Sequence, residues 1–374
     1  MLATGLWDDW LDGELRAVRE AGRWRVLRPL DGRGPDFVDA DGRRLVSFAS
    51  NDYLGLSGHP EVAAACAEAA RRWGAGAGSS RLIVGDRVVH HDLEYDLARW
   101  KGTEAALAFP SGYQANLAVL TAFGSDPGCR VVSDELNHAS IVDGARLARA
   151  EVRVYRHGDV DQAADLVRSA PGRALVVSDS VFSMDGDVAP LRQLSELCAS
   201  EGALLVLDDA HAVFELPEVD PGAPCVRVGT LSKTLGSQGG FVAGPARFVA
   251  LLVNRARSFI FTTGLTPPAA AAALAALRIA RSPQGDELRS RLSAYIDLVV
   301  PGHPSPVVPV VLGSESAALK AAEELLADGL LVPAIRPPTV PPGSSRLRVS
   351  LSAAHRQADV RRLVEALGSL RAPM

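Results

Sequence analysis

Residues 230 to 240 read TLSKTLGSQGG, and this stretch decides how the remainder of the chain is understood. Lys233 follows an apolar run, Val226 to Val228, and stands among hydroxyls and glycines, where a surface lysine ordinarily has charged neighbours. Burial disfavours the charged form of an amine, so a lysine in this setting has its neutral, nucleophilic form within reach.

From about residue 100, short β-rich runs alternate with helical patterns, which predicts βαβ units and a mostly parallel sheet. The expected strands are Ala105 to Phe109, Arg130 to Val132, Val152 to Tyr155, Ala174 to Val177, Leu204 to Leu207, Val226 to Val228 and Phe241 to Ala243. Helices are expected over Gln114 to Phe123, Ile141 to Arg149, Val160 to Ser169 and Leu191 to Ser200. Sites in such sheets form at the carboxyl ends of the strands, so the residues just after each run are the candidates.

That filter leaves a short list. Leu204 to Leu207 runs into Asp208-Asp209-Ala210-His211, Arg130 to Val132 into SDELNHAS with Asn137 and His138, and Ala174 to Val177 into SDSVFSMDGD with Ser183 and Asp185. Ala105 to Phe109 leads into PSGYQAN, where Ser111, Gly112 and Tyr113 open a helix whose first N–H groups form an anion site. Alone, Asp208 reads as a turn cap and His138 as a hydrogen-bonded loop histidine. Together with Lys233 the loops supply the parts of a pyridoxal phosphate site: N–H groups and hydroxyls for a phosphate, a carboxylate for a ring nitrogen and an amine for a Schiff base.

The rest of the chain bounds this reading. Hydrophobic residues make up 47% and charged residues 22%, and the net charge of −5 is spread along the sequence, so nothing favours nucleic acid. Cys66, Cys129, Cys198 and Cys225 are scattered without metal-ligand spacing, which predicts no metal site and a reduced, cytoplasmic setting. The start, MLATGLWDDWLDGEL, has acids where an export signal needs bases, and the apolar run from Pro267 is interrupted at Arg278, so no membrane span is expected. GAGAGSSR, from Gly74, lacks nucleotide-loop spacing and reads as a tight loop lining a ligand or a partner subunit. Three units are expected: an arm over residues 1–45 with a helix Trp7 to Glu20 and a hairpin turning at Asp41-Gly42, a large domain over 46–260, and a smaller α+β unit over 261–374.

SNDYLGLSGHP, SGYQAN, NHASIVDGAR, VFSMDGDVAPL, DDAH, TLSKTLGSQGG and IRPPTVPPGSSRLRVSLSAAH, in this order from about residue 45, resemble the α-oxoamine synthases. The resemblance implies an α/β large domain of the aspartate aminotransferase type (fold type I), a small C-terminal domain and a homodimer with sites at the subunit interface. It implies that Lys233 carries pyridoxal 5'-phosphate, Asp208 pairs with the ring nitrogen, His138 stacks on the ring and His211 bonds its phenolic oxygen. Gly112, Tyr113, Ser183 and Thr230 fall at cofactor-contact positions, Arg348 at the arginine that grips the amino acid carboxylate, and Asn51, Arg28 and Thr339 at substrate positions.

IRPPTVP resembles the branch that condenses L-alanine with a pimeloyl thioester, with loss of carbon dioxide, on the way to biotin; the carrier, coenzyme A or an acyl carrier protein, stays open. The segment after DDAH, AVFELPEVDPGAPC, is shorter than in the family and lacks its glycines, and AHAV looks closer to relatives that use glycine with acetyl or succinyl thioesters. A binding module that has lost catalysis is the remaining alternative.

Overall fold

The computed structural model describes residues 5–371; Met1 to Thr4, which belong to the acid-bearing N-terminal stretch read above, lie outside them. Its centre is a seven-stranded sheet, and its members are the seven expected runs, most of them a residue or two longer. In spatial order they are Ala105–Phe109, Gly240–Gly244, Cys225–Thr230, Leu204–Asp208, Ala174–Asp179, Arg130–Asp134 and Glu151–Tyr155. All pairings are parallel except those of Gly240–Gly244, which runs against both neighbours. The inner strands are buried on both faces, as their continuous Val, Leu and Ala runs require of a sheet covered by helices on either side.

Register fixes what meets at the working edge. Asp179 pairs with Asp208 and Gly240 with Thr230, so two carboxylates and a hydroxyl sit side by side at strand ends. Gly240 also opposes Phe109, and a Cβ there would lie 2.4 Å from the amide nitrogen of Gly112. Only a glycine lets this strand pass so close under the start of the helix Gly112–Gly124.

Four of the expected helices cover the sheet as Gly112–Gly124, Ala139–Ala148, Val160–Arg168 and Leu191–Glu201. The Ala-rich run forms the helix Pro267–Ala280, mostly buried and packed on Pro60–Trp73 and Val88–Lys101. One hydrophobic cluster therefore contains Leu93 and Phe241 together with Leu277, Val349 and Leu363. Strands Val307–Gly313 and Ser345–Ser350 pair antiparallel, with a short third strand, Ala334–Ile335, beside them.

The hairpin at Asp41-Gly42 joins Asp36–Asp39 to Arg44–Ser47, and a further strand, Leu30–Arg33, pairs with it. Leu330–Leu331 lies parallel to Arg44–Ser47, so the N-terminal hairpin and the C-terminal segment share one four-stranded sheet. The helix Leu6–Glu20 buries none of its residues. Among the described residues no helix is long and apolar enough to cross a membrane.

Candidate active site

The lysine loop follows the strand Cys225–Thr230 and returns through Gly236 to Gly240–Gly244. Gly236 has φ 56°, its N–H donates to the carbonyl of Lys233 at 2.9 Å, and a Cβ on it would strike the amide of Ser57 at 2.2 Å. The loop is thus a tight turn pressed on the SNDYLGLS segment, and it directs the amine of Lys233 inward. The Nζ lies 2.7 Å from Nε2 of His211. Burial lowers the pKa of Lys233, against the opposing pull of the Asp208 and Asp179 carboxylates. Burial likewise pushes His211 well below its ordinary value, and the Lys233 and Arg348 charges add to this, so the imidazole is neutral.

Lys233 opens on a cavity of about 220 Å³ whose lining includes Gly112, Tyr113, His138, Ser183, Asp208, His211 and Thr230. Asp208 is 6% exposed; its Oδ2 accepts from Nδ2 of Asn116 at 2.6 Å and its Oδ1 from the N–H of Ala210 at 2.9 Å. Beside it, burial raises Asp179 well above the usual carboxylate range, and the Asp208 charge raises it further. Asp209 faces elsewhere, held by Lys101 at 2.8 Å and Arg227 at 3.0 Å. Ser111, on the same cavity, caps the helix by accepting from the N–H of Gln114 at 3.1 Å, which leaves the N–H groups of Gly112 and Tyr113 without a preceding helical turn to bond. The Tyr113 hydroxyl donates to Asp143.

Arg348 is buried, yet among the described residues no carboxylate lies within salt-bridge distance of it. Its Nε donates to the carbonyl of Ser183 at 2.6 Å, its Nη1 to Oγ of Ser350 at 2.7 Å, and both terminal nitrogens to Oδ1 of Asn51 at 3.2 Å. A buried guanidinium satisfied only by neutral oxygens is a receptor for an anion. Thr339 lines a neighbouring cavity of about 600 Å³ that shares His138 and Ser183 with the first. Arg28 is the exception: it lies exposed on the segment between Leu6–Glu20 and Leu30–Arg33 and lines neither cavity.

The profile of the aminotransferase class I and II family matches residues 43–367. The chain belongs to this family. It is 49% identical to the 8-amino-7-oxononanoate synthase of Anaeromyxobacter dehalogenans, over 97% of this chain and 95% of that protein. A variant serine palmitoyltransferase of S. paucimobilis, solved with a bound pyridoxal phosphate–myriocin aldimine, superposes with TM-score 0.89 at 28% identity, covering 97% of this chain and 96% of that one. The 8-amino-7-oxononanoate synthase of Francisella tularensis, at 24% identity, shares the fold with TM-score 0.73 over 87% of this chain and 97% of that one.

The residues of this aminotransferase-family site fit pyridoxal phosphate on chemical grounds. One cavity brings together a carboxylate, helix N–H groups with the Ser111 and Thr230 hydroxyls, and an amine. A Cβ on Gly112 would sit 3.4 Å from Cβ of Thr230, inside the anion cradle.

Sequence reasoning missed Asn116 and Tyr53. Asn116 is a polar residue on the buried face of a helix, between Ala115 and Ala118, and that break in the apolar pattern was the available signal. Tyr53, fully buried, bonds Nδ1 of His211 at 2.6 Å. Nothing in its spacing points to His211, 158 residues away.

Proposed function

We propose that this chain is an 8-amino-7-oxononanoate synthase, a pyridoxal phosphate-dependent acyltransferase that condenses L-alanine with a pimeloyl thioester to give 8-amino-7-oxononanoate, carbon dioxide and the free thiol. The observation that carries the reading is the convergence of Lys233, the Asp208–Asn116 pair and the N-terminal N–H groups of one helix on a single cavity, in a chain 49% identical to a protein of that name.

Bound there, pyridoxal phosphate supplies an electron sink for the negative charge that develops at the amino acid α-carbon. Lys233 would hold the cofactor, and its amine, when free, would take the α-proton; its lowered pKa suits it to that role. Asp208, fixed by Asn116 and the Ala210 N–H, would hold a proton at the ring nitrogen. Gly112, Tyr113 and Thr230 would hold the phosphate, and His138, on the same cavity, would contact the ring. Arg348, held in place by Asn51 and Ser183, binds the amino acid carboxylate. The larger cavity, walled by Thr339 and Pro338, takes the acyl chain.

Support for a homodimer comes from exposed apolar side chains, Leu82, Ile83, Val84 and Val88 after GAGAGSSR and, elsewhere in the sequence, Phe261, of which Ile83 is 74% and Phe261 70% exposed. The function is tested by mass spectrometry of products from each pairing of alanine, glycine and serine with pimeloyl, succinyl, acetyl and palmitoyl thioesters, on coenzyme A and on a carrier protein. Alanine with pimeloyl thioester is expected to give the highest kcat/KM. A preference for glycine with a short acyl group would move the chain to the sister activity.

A further inference from the structure

His157 lies outside both cavities, on the segment after the strand Glu151–Tyr155. Its Nδ1 is 3.1 Å from Oδ1 and 3.2 Å from Oδ2 of Asp134, and its Nε2 is 2.8 Å from Oδ2 of Asp187. Both ring nitrogens therefore face carboxylates, which only accept, so both contacts are hydrogen bonds only when the ring carries two protons. Among the described residues no group of three or more His, Cys, Asp or Glu is placed to hold a metal ion. The edge of Phe182 completes the packing, with centroids 4.4 Å apart and planes at 87°.

The two carboxylates belong to different active-site segments. Asp134 ends its strand and holds the turn toward His138: its Oδ1 accepts from the N–H of Leu136 at 2.9 Å and its carbonyl from the N–H of Asn137 at 3.3 Å. Asp187 belongs to the tight loop that carries Ser183: its carbonyl accepts from the N–H of Phe182 at 3.0 Å, and the Phe182 carbonyl accepts from the N–H of Gly186 at 2.8 Å. The carbonyl of Ser183 is in turn the acceptor for Nε of Arg348. The other Asp187 oxygen is buried without a partner, and among the described residues His157 is the cation paired with this carboxylate.

We propose that His157 is a positioning residue: its imidazolium clasps the His138 segment to the Ser183 loop and so sets the placement of Arg348 and the affinity of the site for its amino acid. The charged groups around it are Asp134 and Glu135 on one side, Asp187 on the other, and the Arg156–Asp159 pair on its own turn. Burial works against the ring's charge, but the hydrogen bonds to Asp134 and Asp187 outweigh it and hold the pKa above its ordinary value. Asn137, whose Nδ2 donates to the carbonyl of Val177 and whose Oδ1 accepts from the N–H of Asp179, ties the same segments independently, so loss of the histidine loosens the clasp without dissolving it.

The inference rests on the proposed function only in assuming a pyridoxal phosphate site, and it is tested in the holoenzyme by two measurements. In the first, histidine side chains are titrated by NMR without substrate. The expected result is that His138 shows a second inflection at the pKa of His157, that Asp187→Asn moves this inflection to lower pH, and that His157→Gln abolishes it. A His138 signal that ignores both variants overturns the proposal. In the second, the best amino acid and thioester from the substrate panel are used, whichever they are, so a change of substrate leaves this test readable. KM for the amino acid is expected to rise with pH through the His157 titration in the wild type, and to be raised roughly tenfold with a flat profile in His157→Gln while kcat changes less, the scale of one lost charge-assisted contact. Equal KM values and profiles in wild type and His157→Gln overturn the proposal. Should His157→Gln fail to fold, Asp187→Asn carries the test, and an unmoved KM inflection in it is the contradicting result.

Discussion

The Nζ of Lys233 donates to Nε2 of His211 across 2.7 Å, and the direction of that bond is fixed from the far side of the ring. The Tyr53 hydroxyl has one proton and gives it to Oδ1 of Asn51 at 3.1 Å, an oxygen that also accepts from Arg348. It therefore accepts from Nδ1–H of His211, and the Nε2 lone pair is left for the lysine. Asn51, Tyr53, His211 and Lys233 form one chain that links the Arg348 guanidinium to the Lys233 amine.

Tyr53→Phe removes the acceptor of that Nδ1–H and leaves a buried donor unpaired, at a cost of about 1–3 kcal/mol. A lower thermal midpoint and slower loading of pyridoxal phosphate onto Lys233 are expected. A variant that melts and loads like the wild type would mean that the ring carries its proton on the other nitrogen.

Asp208→Asn keeps the shape of the buried side chain but removes its charge. Exchange of the alanine α-proton, followed by NMR in heavy water, is expected to slow by orders of magnitude while the fold persists. Asn116→Ala, which takes away one hydrogen bond to a charged group worth about 1.5–3 kcal/mol, should slow it by roughly ten- to a hundredfold. If Asp208→Asn exchanged at the wild-type rate, the ring-nitrogen role would belong elsewhere.

Arg348→Lys preserves the charge but loses the planar fork that bonds Asn51 and Ser350 while presenting itself to a carboxylate. KM for alanine is expected to increase by roughly an order of magnitude or more, the scale of a lost charge-assisted bond. An unchanged KM would detach Arg348 from substrate binding.

His211, His90 and His355 are all held below their ordinary pKa of 6.5, chiefly by burial. Below that value the unfolded chain takes up protons that the native state refuses, so their stability contribution is full above 6.5 and falls with the pH by up to about 1.4 kcal/mol per unit per group. His157 and Asp179, whose pKa values are raised, act in the opposite sense over the acid range. The informative quantity is a difference: between pH 7 and 5.5 the thermal midpoint of His211→Gln should fall less than that of the wild type. Equal falls would show His211 titrating normally.

The sheet was legible because each of its strands is a short, self-contained apolar run, and strand ends then selected Asp208, His138, Ser183 and Lys233 for the same cavity. What stayed hidden depends on distant pairing. Leu330–Leu331 meets Arg44–Ser47, and Tyr53 meets His211, through contacts that no local period encodes. Ala334–Ile335 is too short to show an alternation at all. Arg28 rests on the resemblance alone, with no strand end to select it, and its exposed position puts it in neither cavity. The lysine had one further signal in its favour: the chain holds three lysines, of which Lys101 is committed to Asp209 and Lys320 pairs with Glu324 on a helix surface.

That scarcity makes the attachment of pyridoxal phosphate to Lys233 directly measurable. Reduction of the pyridoxal phosphate-loaded protein with borohydride, followed by peptide mass spectrometry, should place the whole of the reduced adduct on Lys233. An adduct on Lys101 or Lys320, or a protein that takes up the cofactor without forming any reducible bond, would contradict the account.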